Sequence, residues 1–298
     1  MTVGKADQDQ AGQGYWDQAW SASPLPALWP VDSRKIGAHV ERALFAYMAD
    51  AFALHDADRR GKLLIEAGCA RSGVLPLFAK KLGFWVSGID YSPNGCEQTR
   101  LMLEREGIQA EVHCLDVFSI PDDLVERYDV LVSFGLIEHF SDTTAIVAAL
   151  ARLIKPGGLI FTNVPNMFGV TGFLQKVMDK DVFDIHVPLS AEAVRNAHEL
   201  AGLQVVDCDY FLSVNLGVVN LNSIRTHSLE WWIKKIALAV LVRLSMAAWW
   251  WERLLGQLPV SRAFSPYVNC IATKPGMVSL AGADTASGRG VTSTGSQE

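Results

Sequence analysis

The chain has 298 residues, half of them hydrophobic, which allows one large domain with a sizeable core and excludes disorder of the whole. A formal charge of -6 and a pI near 5.7, without a clustered excess of Lys and Arg, exclude a nucleic-acid binder, because phosphate neutralisation demands such a cluster. Cys69, Cys96, Cys114, Cys208 and Cys270 are odd in number, scattered and free of any CxxC pair; reduced thiols in a cytoplasm are expected, and no metal site is read from the sequence.

Residues 1–14 are polar and Gly/Gln-rich, so a disordered N-terminus is expected, and they carry no apolar h-region of an export signal. Residues 15–60 read as an N-terminal helical cap. Its first part holds Tyr15, Trp16, Trp20 and Trp29 in a Pro-punctuated run too aromatic to be left in water. Either these rings staple the N-terminus to the domain, or Tyr15, Trp16 and Trp20 close over a substrate as a lid. Helical spacing of Val40, Leu44, Phe45, Met48 and Phe52 predicts a helix over 37–54.

Leu63, Leu64 and Ile65 then form a short apolar strand that runs into Glu66 and a turn carrying Gly68, Ala70, Ser72 and Gly73. The following run places Leu75, Phe78, Ala79 and Leu82 on one helical face. A small-residue turn between strand and helix lets a ligand approach bare backbone and the free N–H groups at the helix start. Further strands are expected at 84–90, 110–116, 128–135, 157–165, 203–211 and 267–275, with helices between most of them. This alternation predicts an α/β fold: a doubly wound, mostly parallel seven-stranded sheet covered on both faces, with the domain spanning 61–275. In such sheets ligands bind at the carboxyl ends of the strands, here Glu66, Asp90, Asp116, Phe134, Gly135 and 163–166.

Near the C-terminus, 226–256 reads as a hydrophobic helical insertion with aromatic ends and the basic residues Lys234, Lys235 and Arg243. Arg243 in its middle argues against a bilayer span. The bland expectation is a helix packed on the domain or on a second copy in a homodimer. The other is a wall of an apolar substrate pocket or a peripheral membrane contact through 228–256, which would make the protein membrane-associated within the cytoplasm. Residues 276–298, rich in Gly, Ser and Thr, are expected to be a disordered tail.

The turn alone is ambiguous. Gly68-x-Ala70-x-x-Gly73 followed by Asp90 also scores as a dinucleotide fingerprint, which keeps an NAD(P)-dependent oxidoreductase open; against it, the Ala70 methyl would hinder close approach of a pyrophosphate.

Five segments in register resolve the ambiguity. Glu66-Ala67-Gly68-Cys69-Ala70, Gly88-Ile89-Asp90-Tyr91-Ser92, Leu115-Asp116-Val117, residues 128–140 (YDVLVSFGLIEHF) and Leu153-Ile154-Lys155-Pro156-Gly157-Gly158 together resemble the class I S-adenosylmethionine (SAM)-dependent methyltransferases. That resemblance implies SAM as cofactor and methyl transfer by in-line displacement; the aromatic N-terminal segment and the Trp-rich stretch after 226 point to a small, hydrophobic or aromatic acceptor, with an O nucleophile first and N second. The resemblance further implies Glu66 at the methionyl end, Gly68 and Ala70 against the cofactor, and Asp90 on the ribose hydroxyls. Tyr91 would flank the adenine, Asp116 and the Val117 amide would read its edge, and Phe134 and Gly135 would line the sulfonium. The sequence departs from the family at Ala70 and in the extra length of Arg71-Ser72-Gly73. His139, which follows Glu138 beyond the fourth strand, and His186, before a helix cap, are the candidate bases, although methyl transfer can proceed without one. A non-catalytic, methyltransferase-like interaction or membrane-associated protein remains the other alternative.

Overall fold

A computed structural model describes residues 9–21 and 24–276. The expected tail beyond 276 and the first eight residues lie outside the described chain.

Seven strands form one sheet: β1 (Leu63–Ala67), β2 (Trp85–Asp90), β3 (Glu111–Cys114), β4 (Tyr128–Phe134), β5 (Ile154–Pro165), β6 (Gln204–Phe211) and β7 (Tyr267–Thr273), in spatial order β3-β2-β1-β4-β5-β7-β6. The strands from β1 to β5 pair in parallel, and β7 runs antiparallel to both β5 and β6. Because helices cover both faces, the central strands read as continuous apolar runs rather than alternating ones. Successive residues of β1 show why. Leu64 packs with Phe52 and Phe78 in one layer, whereas Ile65 packs with Ile146 and Leu150 in the other.

The first layer is supplied by α2 (His39–His55) and α3 (Leu75–Leu82), the second by α5 (Thr143–Ala151) and α8 (Ala191–Leu200). Between β1 and β4 the order of strands reverses, opening the crevice in which doubly wound sheets hold their ligands. Strand β3 ends earlier than its apolar pattern predicts, since Asp116 turns to cap a short 3-10 segment by accepting from the Phe118 amide at 2.9 Å.

Residues 9–14 depart from the expectation of disorder. Asp9 pairs with Phe140 as an isolated bridge, the Gln10 amide donates to the His139 carbonyl at 2.7 Å, and α1 (Gln13–Ser21) follows at once. The anchor of α1 is Asp17, whose carboxylate accepts from Ser92 Oγ and from the Asn94 amide, both at 2.9 Å, at the start of α4 (Pro93–Arg105). No composition rule marks Asp17 as a cap for a helix far along the chain.

Two short helices, α6 (Val170–Met178) and α7 (Lys180–Asp184), lead to α8, and the predicted insertion is a single 27-residue helix, α9 (Leu229–Leu255). Ser228 caps α9 by accepting from the Trp231 amide, and only Ser245 and Trp249 of the helix are buried.

Candidate active site

The turn after β1 is shaped by one buried carboxylate. Glu66 Oε2 accepts from Ser72 Oγ at 2.5 Å, and the same hydroxyl accepts from the Leu75 amide at 2.9 Å, tying the strand end to the first turn of α3. Burial pushes the Glu66 carboxyl up to about 8; the Ser72 hydrogen bond opposes this, and the Asp90 charge adds to it. The residue that lengthens the turn is Arg71, which takes a left-handed φ of 60°. Glu66 is thereby enclosed behind the loop and lines neither of the two cavities described next. The resemblance places Glu66 on the methionyl end, directly or through water; in the structure its carboxyl braces the loop through Ser72.

At the carboxyl ends of β1, β2 and β4 lie two cavities that share Asp9, Gly68, Asp90, Tyr91, Leu136 and Phe140. The larger, about 510 Å³, also carries Asp116, Val117 and Phe118. The smaller, about 170 Å³, carries Ala70, Phe134, Gly135 and His139 under a roof of Trp16 and Trp20. Of the expected residues, Gly68, Ala70, Asp90, Tyr91, Asp116, Val117, Phe134, Gly135, His139, Trp16 and Trp20 therefore converge, while Glu66, Tyr15 and His186 stand outside. Tyr15 instead meets Trp16 edge-on at 5.0 Å.

Asp90 is buried at the junction of the cavities. Oδ2 accepts from the Ala70 amide at 3.1 Å and Oδ1 from the Ser92 amide at 2.8 Å, so each oxygen keeps a lone pair for a ligand hydroxyl. Gly68 takes the left-handed φ of 72° that favours glycine, and an added Cβ would crowd Leu136 Cδ1 at 3.3 Å. In the smaller cavity the Trp16 ring meets His139 edge-on at 4.8 Å, and Trp29 meets Phe134 at 5.6 Å.

Asp9, absent from the sequence reading, is shared by both cavities. Its carboxylate accepts from the Trp16 indole at 3.2 Å and from the Tyr91 hydroxyl, so the segment before α1 latches the roof to the strand ends. His139 donates from Nδ1 to the Ile185 carbonyl at 2.9 Å, and burial lowers its pKa. Its neighbour Glu138 is 1% exposed, and burial raises its carboxyl to about 8, opposed only by its own backbone N–H. His186, with its ring centroid 4.5 Å from that of His139, is lowered to about 4 by burial and then by the His139 charge.

The family model described as a methyltransferase domain matches residues 36–208, more than half of the chain. The chain belongs to that methyltransferase family. Among relatives of this methyltransferase are the ubiquinone biosynthesis O-methyltransferases of Nitrosococcus oceani, 25% identical over 60% of this chain and 71% of the relative, and of Pseudomonas fluorescens, 24% identical over 65% and 79%. A third, from Xanthomonas axonopodis pv. citri, is 28% identical over 51% of this chain and 56% of its own. Solved structures with the same fold include geranyl diphosphate C-methyltransferase from Streptomyces coelicolor A3(2) in complex with Mg2+, geranyl diphosphate and S-adenosyl-L-homocysteine (TM-score 0.54, 15% identity, 88% of this chain and 97% of that one). Phosphoethanolamine N-methyltransferase 2 of Haemonchus contortus is another (TM-score 0.51, 15% identity, 77% and 52%).

The methyltransferase is thus a class I, SAM-dependent enzyme, and SAM is its cofactor. The residues that converge suit that molecule. It carries no phosphate, and it presents two ribose hydroxyls and a sulfonium, to which a carboxylate and aromatic faces are complementary. The oxidoreductase alternative is thereby set aside.

One pH dependence follows from Asp90. Burial raises its carboxyl from 3.8 to about 6, against the backbone hydrogen bonds that lower it. A raised carboxyl pKa means that the charged form costs the free protein stability above pH 6, and that below it the group is protonated and a poorer acceptor. SAM affinity is expected to fall about tenfold between pH 7.5 and pH 5, where roughly a tenth of such a group stays ionised. Calorimetric titration of SAM across that range checks it, and a flat profile would count against Asp90 as the ribose acceptor.

Proposed function

We propose that the enzyme moves the SAM methyl group to an oxygen, or second a nitrogen, of a small hydrophobic or aromatic acceptor held in the smaller cavity. Asp90, Tyr91, Asp116 and the Val117 amide take the adenosine, and Gly68, Ala70, Phe134 and Gly135 take the methionyl and sulfonium portion. The observation that carries this reading is the aromatic enclosure of the donor end by Trp16, Trp20, Phe134 and Phe140. Such walls exclude water and favour a flat apolar acceptor beside the sulfonium. Oxygen is preferred because the relatives named above are O-methyltransferases; the solved structures share the fold across carbon and nitrogen acceptors and do not choose the atom.

The N-terminal rings act as the lid, with α1 pinned to α4 through Asp17. The Trp-rich stretch has a different place. Helix α9 lines neither cofactor cavity; Trp249 Nε1 donates to the Val214 carbonyl at 2.8 Å, its ring stacks on His39 at 5.1 Å, and the helix borders a separate cavity of about 800 Å³ against α2. Among the described residues no helix is long and apolar enough to cross a membrane. We assign α9 to a peripheral contact with a lipid surface, an arrangement that would bring a hydrophobic acceptor to the enzyme; burial between two copies is the competing use of the same face.

Incubation of the full chain with methyl-labelled SAM and a panel of phenols, catechols and primary amines of graded apolar tail length tests the acceptor. Labelled aryl ethers, favoured by longer tails, are the expected products; label found only on amines would overturn the oxygen assignment.

A further inference from the structure

We propose that Glu138, His139 and His186 form a site for a divalent first-row transition-metal ion of the zinc type, at the donor end of the SAM cavity. Each offers one ligand atom, and these atoms all lie within 4.8 Å of one another. Ligand atoms on one tetrahedral zinc stand about 3.4 Å apart, given bonds of about 2.1 Å, so small side-chain rotations close the set.

Three further observations point to a cation. Both imidazoles are held by backbone carbonyls, His139 Nδ1 donating to Ile185 at 2.9 Å and His186 Nδ1 to Val182 at 2.6 Å. A carbonyl can only accept, so Nδ1 carries the proton and Nε2 of each ring is the lone-pair nitrogen, the orientation typical of metal-ligating histidines. Glu138 is buried, and among the described residues neither of its oxygens has a hydrogen-bond partner from another residue. A buried carboxyl with no partner is a costly polar group, and a cation beside it would pair its ionised form. Finally, the backbone here is fixed on both sides, since the Val187 amide donates to the Glu138 carbonyl at 2.6 Å and the Gln10 amide to that of His139 at 2.7 Å.

Two nitrogens and one carboxylate suit zinc-type ions better than magnesium or calcium, which favour oxygen sets, and three protein ligands leave a position open. Of the three, His139 lines the smaller cavity, which puts the site at the wall of that cavity. Resting on the reading of that cavity as the transfer site, the open position takes an acceptor hydroxyl. The ion favours loss of the hydroxyl proton to water; the methyl C–S bond breaks as the C–O bond forms, sulfur keeps the electron pair, and the products are the methyl ether and S-adenosylhomocysteine.

The test is titration of the chelator-stripped full chain with Co2+, read by visible absorption and metal analysis, with SAM calorimetry in parallel. One Co2+ per chain with d–d bands is expected, lost in His186→Ala and in Glu138→Gln, while both variants still bind SAM. No uptake, or uptake unchanged in both variants, overturns the site. Retained SAM binding shows that a variant is folded; were the His186 variant to lose it, the isosteric Glu138→Gln decides. Co2+ bound with no SAM binding by the parent chain would sink the methyltransferase reading and leave the metal site standing; SAM bound without Co2+ does the reverse.

Discussion

Asp90→Ala should weaken SAM binding by roughly 10²–10⁴-fold, because two hydrogen bonds to a charged acceptor contribute about 1.5–3 kcal/mol each and both are lost. Part of the loss is indirect. The Asp90 oxygens also accept from the Ala70 and Ser92 amides, so alanine frees the glycine turn and the start of α4 as well as the ribose hydroxyls. Asp90→Asn separates the two contributions: it keeps the size and one acceptor oxygen, and an affinity between those of the parent and the alanine variant is expected. Calorimetry with SAM, and with NADH in parallel, measures both. A SAM affinity unchanged in Asp90→Ala would remove the ribose assignment, and NADH binding in place of SAM would restore the dinucleotide reading of the turn.

The strands were legible because parallel strands buried on both faces carry apolar runs, as at 63–65 and 130–132, and because the motif acids stand at strand ends where topology gathers them. Asp90, Asp116, Phe134 and Gly135 were singled out by segments read in register, and they line the two cavities. Asp9 did not announce itself. It sits in a polar stretch without periodicity, and its value comes from pairing with Phe140 and receiving the Tyr91 hydroxyl, both long-range events. Glu66 shows the opposite case: its motif was plain, whereas its hydrogen bond to Ser72, just past the left-handed Arg71, is turn geometry that the motif does not encode. Glu138 and His186 lie on either side of β5 and three helices in the chain, so their meeting at His139 is a product of packing that spacing could not reveal.

Helix α9 carries the second large expected effect. At about 100° per residue, its buried Ser245 and Trp249 lie on one side, whereas the exposed Leu229, Ile233, Ile236, Val240, Leu244, Trp251 and Leu254 fall together on the other. The helix therefore docks by a narrow seam and turns a broader apolar stripe outward, with the exposed Arg243 at its edge; Lys235 lies between stripe and seam, its ammonium 4.1 Å from the Trp231 ring centroid. An apolar stripe with Trp near both ends and Lys or Arg alongside matches a helix lying in the plane of a lipid interface. If that is its use, Ile236→Asp combined with Val240→Asp removes two inserted side chains, at about 1.5–3 kcal/mol each when fully buried. It also sets two negative charges against an anionic surface, so vesicle partitioning should fall by about 10²-fold or more. Co-sedimentation with anionic phospholipid vesicles measures the loss, while SAM affinity should stay at the parent value because α9 lines neither cofactor cavity. Pelleting unchanged by the double substitution would refute the lipid contact. A parent chain that stays off vesicles but is dimeric by light scattering, and turns monomeric in the variant, would assign the stripe to a second copy instead.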